Sequence, residues 1–161
     1  MDQLWAPWRL PYIAKAGLPN ADDCFICAGL ARDDDRDNLI VLRTERSIVL
    51  LNRFPYNNGH LLVAPLAHKG GLAELISAEL LEVMETVRRM TDLLEKVMRP
   101  DGFNVGLNLG RSAGAGLPGH LHWHIVPRWN GDTNFMPVLS DTKVINQSLD
   151  SLWEMLTERL K

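Results

Sequence analysis

Three of the protein's five histidines fall at alternate positions of one short segment, His120-Leu121-His122-Trp123-His124. Side chains along a strand alternate between faces, so this spacing lines the three imidazoles on one side. Leu121, Trp123 and Ile125 then take the other side and pave a core. Imidazole, with an ordinary pKa of about 6.5, is largely neutral at physiological pH and serves as a nucleophile or a metal ligand; when charged it donates to phosphate oxygens. Directly before the ridge runs Gly110-Arg111-Ser112-Ala113-Gly114-Ala115-Gly116-Leu117-Pro118-Gly119, with four glycines in ten residues. Such a loop can turn its backbone N–H groups inward as an anion-binding nest, and Arg111 adds a formal positive charge. Alone it reads equally well as a flexible hairpin. Next to the histidines it reads as a phosphate cradle beside a nucleophile.

A second cluster is Cys24-Phe25-Ile26-Cys27. Two cysteines are too few for a disulfide scaffold, whereas two thiolates supply half of a tetrahedral zinc site. His60, His68 and His120 are candidates for the remaining ligands. A buried hydrophobic pair or a redox dithiol is the alternative, and the βαβ context a redox motif normally occupies is not visible.

These groups need a scaffold, and the residue patterns describe one. Residues 38–42, 47–51 and 60–65 read as strands, joined by polar turns and by the Asn58-Gly59 reversal. From Ser77, a suitable cap followed by Glu79, the period becomes helical, with Leu80, Met84, Val87, Leu94 and Met98 recurring until Arg99-Pro100-Asp101-Gly102 stops the run. The methionines read as core filler. Residues 103–109 and 120–127 form further strands, and Leu149–Leu160 a closing helix with Leu149, Leu152, Trp153 and Leu156 on one face. The expected class is α+β, a mostly antiparallel sheet with one long helix and a C-terminal helix. One domain spans 1–161: an N-terminal arm 1–20, the CxxC segment and first strands 21–70, the long helix 77–99, the strands with the loop and histidines 103–127, and a C-terminal segment 128–161. Trp5, Trp8 and Tyr12 of the arm are too apolar for water and are expected to pack on the domain or a partner subunit. Asp33–Arg36 reads as a solvated charged turn.

Hydrophobic residues make up 46% and charged residues 23%, the balance of an ordinary globular chain, and the net charge of −3 argues against coating a nucleic-acid polymer. No apolar run approaches the roughly 20 residues of a membrane span. Met1–Leu18 lacks the continuous apolar core of a signal peptide, so a cytoplasmic location is expected, with no membrane partner and no organic cofactor.

The motifs resemble a known family. "HLHWHIV" matches the His-x-His-x-His-x-x signature of the histidine-triad (HIT) superfamily, "NNGHLLVAPLAH" resembles its preceding strand, and "GLNLGRSAGAGLPG" its phosphate loop. "LWAPWRLPYI" and "VPRWNGDTNFMPV" look like the branch holding diadenosine-tetraphosphate phosphorylases and fragile-histidine-triad hydrolases. The resemblance implies a homodimer acting on nucleotide α-phosphates, typically of dinucleoside polyphosphates. His122 would be the nucleophile, forming a nucleotidyl-histidine. His124 would meet the phosphate or leaving-group oxygens, with His60 as a supporting hydrogen-bond partner. Asn52 would touch the ribose, and Asn108 and the loop residues Gly114, Ala115, Gly116 and Leu117 the phosphate. A structural zinc would be held by Cys24, Cys27, His68 and His120. Several branches carry glutamine or serine where Gly116 falls, and Gly116 offers only its N–H. Water as acceptor gives hydrolysis and inorganic phosphate gives phosphorolysis, which "GDTNFMPV" slightly favours. The alternatives are a nucleoside phosphoramidate hydrolase and a non-catalytic nucleotide-binding protein. Trp129, Asn134 and Phe135 are expected at a second nucleotide pocket or the dimer contact, with packing equally open for Trp129 and Phe135.

Overall fold

The computed structural model describes residues 24–140 and 142–161; the arm with Trp5, Trp8 and Tyr12 lies outside them. A short helix α1 (Phe25–Leu30) precedes β1 (Ile40–Arg43), β2 (Ser47–Leu51) and β3 (Leu61–Pro65). The long helix α2 (Ser77–Met98) follows, then β4 (Gly102–Leu107), β5 (Trp123–Arg128), α3 (Met136–Ser140) and α4 (Leu149–Leu160). The five strands form one sheet in the order β1-β2-β3-β5-β4, with every neighbouring pair antiparallel. The α+β class expected from the residues is the one observed.

Strand alternation sorts the apolar residues into two layers. Val49 and Leu51 of β2, Leu61 and Val63 of β3, and Leu121, Trp123 and Ile125 face α2 and α4, where they meet Val83, Val87, Met90, Leu94, Leu152 and Leu156. Ile48, Leu50 and Ala64 point the other way, onto Cys24 at the start of α1, Ile26 of α1 and Leu117 of the glycine loop. Each such aliphatic burial contributes roughly 1.5–3 kcal/mol, which is why β2 and β3, buried at every position, form the centre of the sheet. β5 lies between β3 and β4, opposing Leu62 to His124 on one side and Gly106 to His124 on the other. His124 thereby emerges on the face opposite α2, beside a residue without a Cβ.

Several local expectations shift. Strand pairing begins at Trp123, so His120 and His122 lie on the extended approach to β5, where the Leu121 N–H donates to the Lys69 carbonyl (2.7 Å). β4 ends at Leu107 and β3 begins at Leu61, leaving Asn108 and His60 at strand ends. Ser77 is the first helical residue rather than the cap; the end is closed by Glu79, whose carboxylate accepts the Ile76 N–H (2.9 Å) and pairs with Lys69 (2.6 Å). On α2 the buried stripe is Val83, Val87, Met90 and Leu94, while Leu80 and Met84 are 40% and 44% exposed. Stripes through 80/84 and 83/87 are adjacent on a helix, and the shared Val87 and Leu94 fitted both. Met90 is the core filler and Met84 is not. The charged turn is exposed as expected, and Arg36 also pairs with Asp150 and Glu154 of α4 and lies over the Trp153 ring.

Candidate active site and metal centre

Three hydrogen bonds set the proton positions. The Tyr56 N–H donates to His60 Nδ1 (3.0 Å), so the neutral His60 ring carries its proton on Nε2. That Nε2–H donates to His124 Nδ1 (2.9 Å), leaving the proton of neutral His124 on Nε2. His122 has the opposite arrangement: its Nδ1–H donates to the His120 carbonyl (2.8 Å), so its lone pair is on Nε2. The His122 and His124 rings lie edge to face, 5.1 Å between centroids. One ring therefore offers a nucleophilic nitrogen and its neighbour a proton donor. Burial pushes His122 below the ordinary histidine range, and pushes His60 down to about 3, with His124 and His122 adding to the effect. Both rings stay neutral at physiological pH.

His120 faces elsewhere. Its ring meets His68 edge to face, and its Nδ1 lies 3.3 Å from Cys24 Sγ and 3.5 Å from Cys27 Sγ. Cys27 Sγ lies 3.2 Å from His68 Nδ1, and the four ligand atoms are all within 4.8 Å of one another. Tetrahedral zinc with its usual bond lengths separates such atoms by about 3.3–3.8 Å, so this set could hold a metal ion. The His120 Nε2–H donates to the Pro65 carbonyl (2.8 Å), the kind of outer bond that turns the other nitrogen to a metal. The Cys27 thiol is pushed up to about 11, by burial first and then by Cys24, a penalty on the thiolate that a divalent cation reverses.

The loop begins at Gly110 (φ 76°), forms a tight turn over Arg111–Ala113, and reverses at Gly114 (φ 86°), both angles in the glycine-favoured region. Gly114 and Ala115 donate their N–H groups to the carbonyls of Arg111 and Gly110. Gly116 and Leu117 follow this turn and lead to the His120 N–H, which donates to the Leu117 carbonyl (3.3 Å). The β4–β5 register, with Leu107 opposite Trp123, carries Asn108 to the level of His122. Asn52 turns its amide nitrogen to His60 Nδ1 (3.2 Å) and accepts the Phe54 N–H (2.9 Å), a task beside the histidines that the sequence did not suggest. Trp129 donates to the Arg99 carbonyl, Asn134 accepts the Met136 N–H, and the Phe135 side chain is largely exposed.

Residues 34–131 match the HIT domain family. The chain belongs to the HIT family. Its relatives include the AP-4-A phosphorylase of Mycobacterium tuberculosis (strain ATCC 25618 / H37Rv), 40% identical over 154 residues that cover 92% of this chain and 79% of that one. A bis(5'-nucleosyl)-tetraphosphatase [asymmetrical] of Schizosaccharomyces pombe is 34% identical over 93 residues, 58% of this chain and 50% of the relative. Among solved HIT structures, a hypothetical histidine triad nucleotide-binding protein of Sulfolobus tokodaii strain7 superposes with a TM-score of 0.67 at 26% identity, over 84% of this chain and 90% of the other.

Within this HIT site two contributors outside the histidine segment were missed in the sequence. One is the Pro65 carbonyl, a main-chain group that no motif marks. The other is Tyr56, four residues before His60 in a Pro/Asn turn, a spacing that could have drawn notice. His60 also makes stability depend on pH. Its folded pKa of about 3 lies below the unfolded value of about 6.5, so between these pH values the unfolded chain binds more protons. This contribution is complete above pH 6.5 and is lost as pH falls toward 3. His60→Gln should therefore flatten the acid side of a stability-versus-pH curve by about one proton, measured by denaturant titration; an unchanged slope would refute it.

Proposed function

We propose that the protein cleaves dinucleoside polyphosphates, such as a diadenosine tetraphosphate, at the α-phosphate through a nucleotidyl-histidine at His122. The opposed tautomers of His122 and His124 carry this reading. The His122 Nε2 lone pair attacks the α-phosphorus, and the P–O bond to the rest of the polyphosphate breaks, its electron pair leaving with that oxygen. His124 Nε2–H meets the phosphate or leaving-group oxygens, and the Gly116 and Leu117 N–H groups and Asn108 face the charge that builds on the phosphoryl group. An acceptor oxygen then attacks the adduct, and the P–N electrons return to His122.

Inorganic phosphate is the favoured acceptor, supported by the 40% identical relative that carries the phosphorylase name. With phosphate the product is a nucleoside diphosphate; with water it is a monophosphate. Chromatography of the products with and without phosphate decides between them. Products that ignore phosphate remove the phosphorolysis reading and leave hydrolysis.

The residues Cys24, Cys27, His68 and His120 would hold a structural zinc, whose part is to bind the start of α1 to the approach of β5. No organic cofactor enters the reaction as proposed. Reduced cysteines at such a site fit a cytoplasmic location, and no helix among the described residues is long and apolar enough to cross a membrane. We take the working unit to be a homodimer: β4 is an edge strand with Val105 45% exposed, an arrangement that invites pairing. Sedimentation at micromolar concentration giving the mass of one chain would exclude it.

A further inference from the structure

We propose that the side chain of Tyr56 is a positioning residue for His124, acting as an aromatic plate that holds the imidazole plane against the substrate phosphate; this rests on the reading of His124 given above. The Tyr56 ring lies 5.8 Å from the His124 ring with only 20° between the planes, an offset stack. It also lies 4.7 Å from the His60 ring at 36°, and the His60 and His124 centroids are 5.1 Å apart. Three rings thus form one packed group, and two of them are joined by the His60 Nε2–H bond to His124 Nδ1.

That bond fixes where the edge of the His124 ring points, and tilt about the bond's direction is a separate motion, which the edge-on His122 ring does not oppose as a parallel face would. A face packed nearly parallel to it blocks the tilt. His124 opposes Leu62 and Gly106 in the sheet, and Gly106 has no side chain to supply such a face. Tyr56 supplies it from the turn before His60. Its backbone works on the same pair, because the Tyr56 N–H selects the His60 tautomer that donates to His124.

The turn holding Tyr56 is anchored independently of its ring. Asn57 donates to the Pro127 carbonyl (3.0 Å) and to Asp132 (2.8 Å), and Asp132 is paired with Arg128 (2.6 Å) at the end of the strand that carries His124. Gly59 completes the reversal at φ 79°. The Tyr56 residue is 37% exposed, so its side chain covers the histidines from the solvent side rather than filling the core. Substitution should change the ring contact and leave the turn in place.

The test compares Tyr56→Phe and Tyr56→Leu in the full chain, by steady-state turnover of a dinucleoside tetraphosphate and by NMR of the histidine ring protons. Tyr56→Phe should keep kcat within about twofold, and Tyr56→Leu should lose about tenfold in kcat with KM changed less than about twofold, as expected when a group meeting the transition state is misaligned. The His124 ring signals should lose their ring-current shift in Tyr56→Leu and keep it in Tyr56→Phe. Wild-type turnover in Tyr56→Leu overturns the proposal, as does equal loss in both variants, which would assign the effect to the hydroxyl. A change in KM alone also overturns it, since Tyr56 would then contact substrate. Should Tyr56→Leu fail to fold, Tyr56→Gln is judged by the same criteria. If the wild type does not turn over this substrate, the functional reading fails separately, and the NMR comparison still decides the plate: His124 signals that keep their wild-type positions in the leucine variant refute it.

Discussion

His122→Ala should reduce kcat on a dinucleoside tetraphosphate by at least about ten-thousand-fold, the scale seen when a covalent nucleophile is removed, while substrate still binds. The expectation follows from the hydrogen bond that holds its Nδ1–H on the His120 carbonyl and directs the lone pair to Nε2. Burial holds the ring below the usual histidine range, so the nucleophile is neutral before substrate arrives. A radiolabelled nucleotide substrate quenched in base should leave label on the wild type and none on His122→Ala. His124→Ala removes a donor rather than the attacking atom, and its loss should fall nearer the ~100- to 10,000-fold typical of general acid–base groups. Label retained on the alanine variant would move the nucleophile to another residue. Turnover at a comparable rate without His122 would exclude the covalent route.

The chemistry was more legible in the sequence than the geometry that arranges it. The alternation of Leu121, Trp123 and Ile125 predicted their burial under the helices, and they are found there. The same alternation placed His120, His122 and His124 on one ridge, but in the structure their partners divide them. His120 turns to Cys24 and Cys27, whereas His122 and His124 face each other. A period of two gives the side of a strand; it cannot say that strand pairing starts only at Trp123, or that a carbonyl two residues back selects a tautomer. Residue spacing alone left His60, His68 and His120 open as partners for Cys24 and Cys27; the resemblance implied His68 and His120, and these are the two brought to the cysteines. Their meeting depends on a contact across 96 residues, from the start of α1 to the approach of β5. On α2, helical spacing was read correctly and its phase was not, because Val87 and Leu94 belong to two neighbouring stripes and only packing against β2 and β3 chooses between them. Main-chain groups are the other blind spot. The carbonyls of Pro65 and His120 and the N–H of Tyr56 direct the three histidines on which the site depends, and nothing in the side chains of those residues announces it.

Removing metal from Cys24, Cys27, His68 and His120 should lower Tm by about 8–16 °C while leaving a substantial part of kcat. A ligand at about a thousandfold over its Kd stabilises the folded state by ~4 kcal/mol, and each kcal/mol shifts Tm by roughly 2–4 °C in a chain of this size. Turnover should suffer less, because His122 does not touch the cluster through its side chain: it is held by the His120 carbonyl, and the flanking Leu121 N–H remains bonded to Lys69. Protein purified without chelators should contain about one zinc per chain by elemental analysis, and Cys27→Ser should lose metal and thermal stability together. Cys27 is the clearer choice for substitution, since it only flanks the cluster in which Cys24 is fully buried with Ile26, Ile48 and Leu117, where a substitution would mix a core defect with a lost ligand. Metal well below one per chain, with a Tm indifferent to chelator, would make the four residues an unmetallated hydrogen-bonded cluster. The opposite failure is equally decisive: complete loss of kcat at unchanged Tm would move the ion from scaffold to reaction, and the division of labour between His120 and His122 with it.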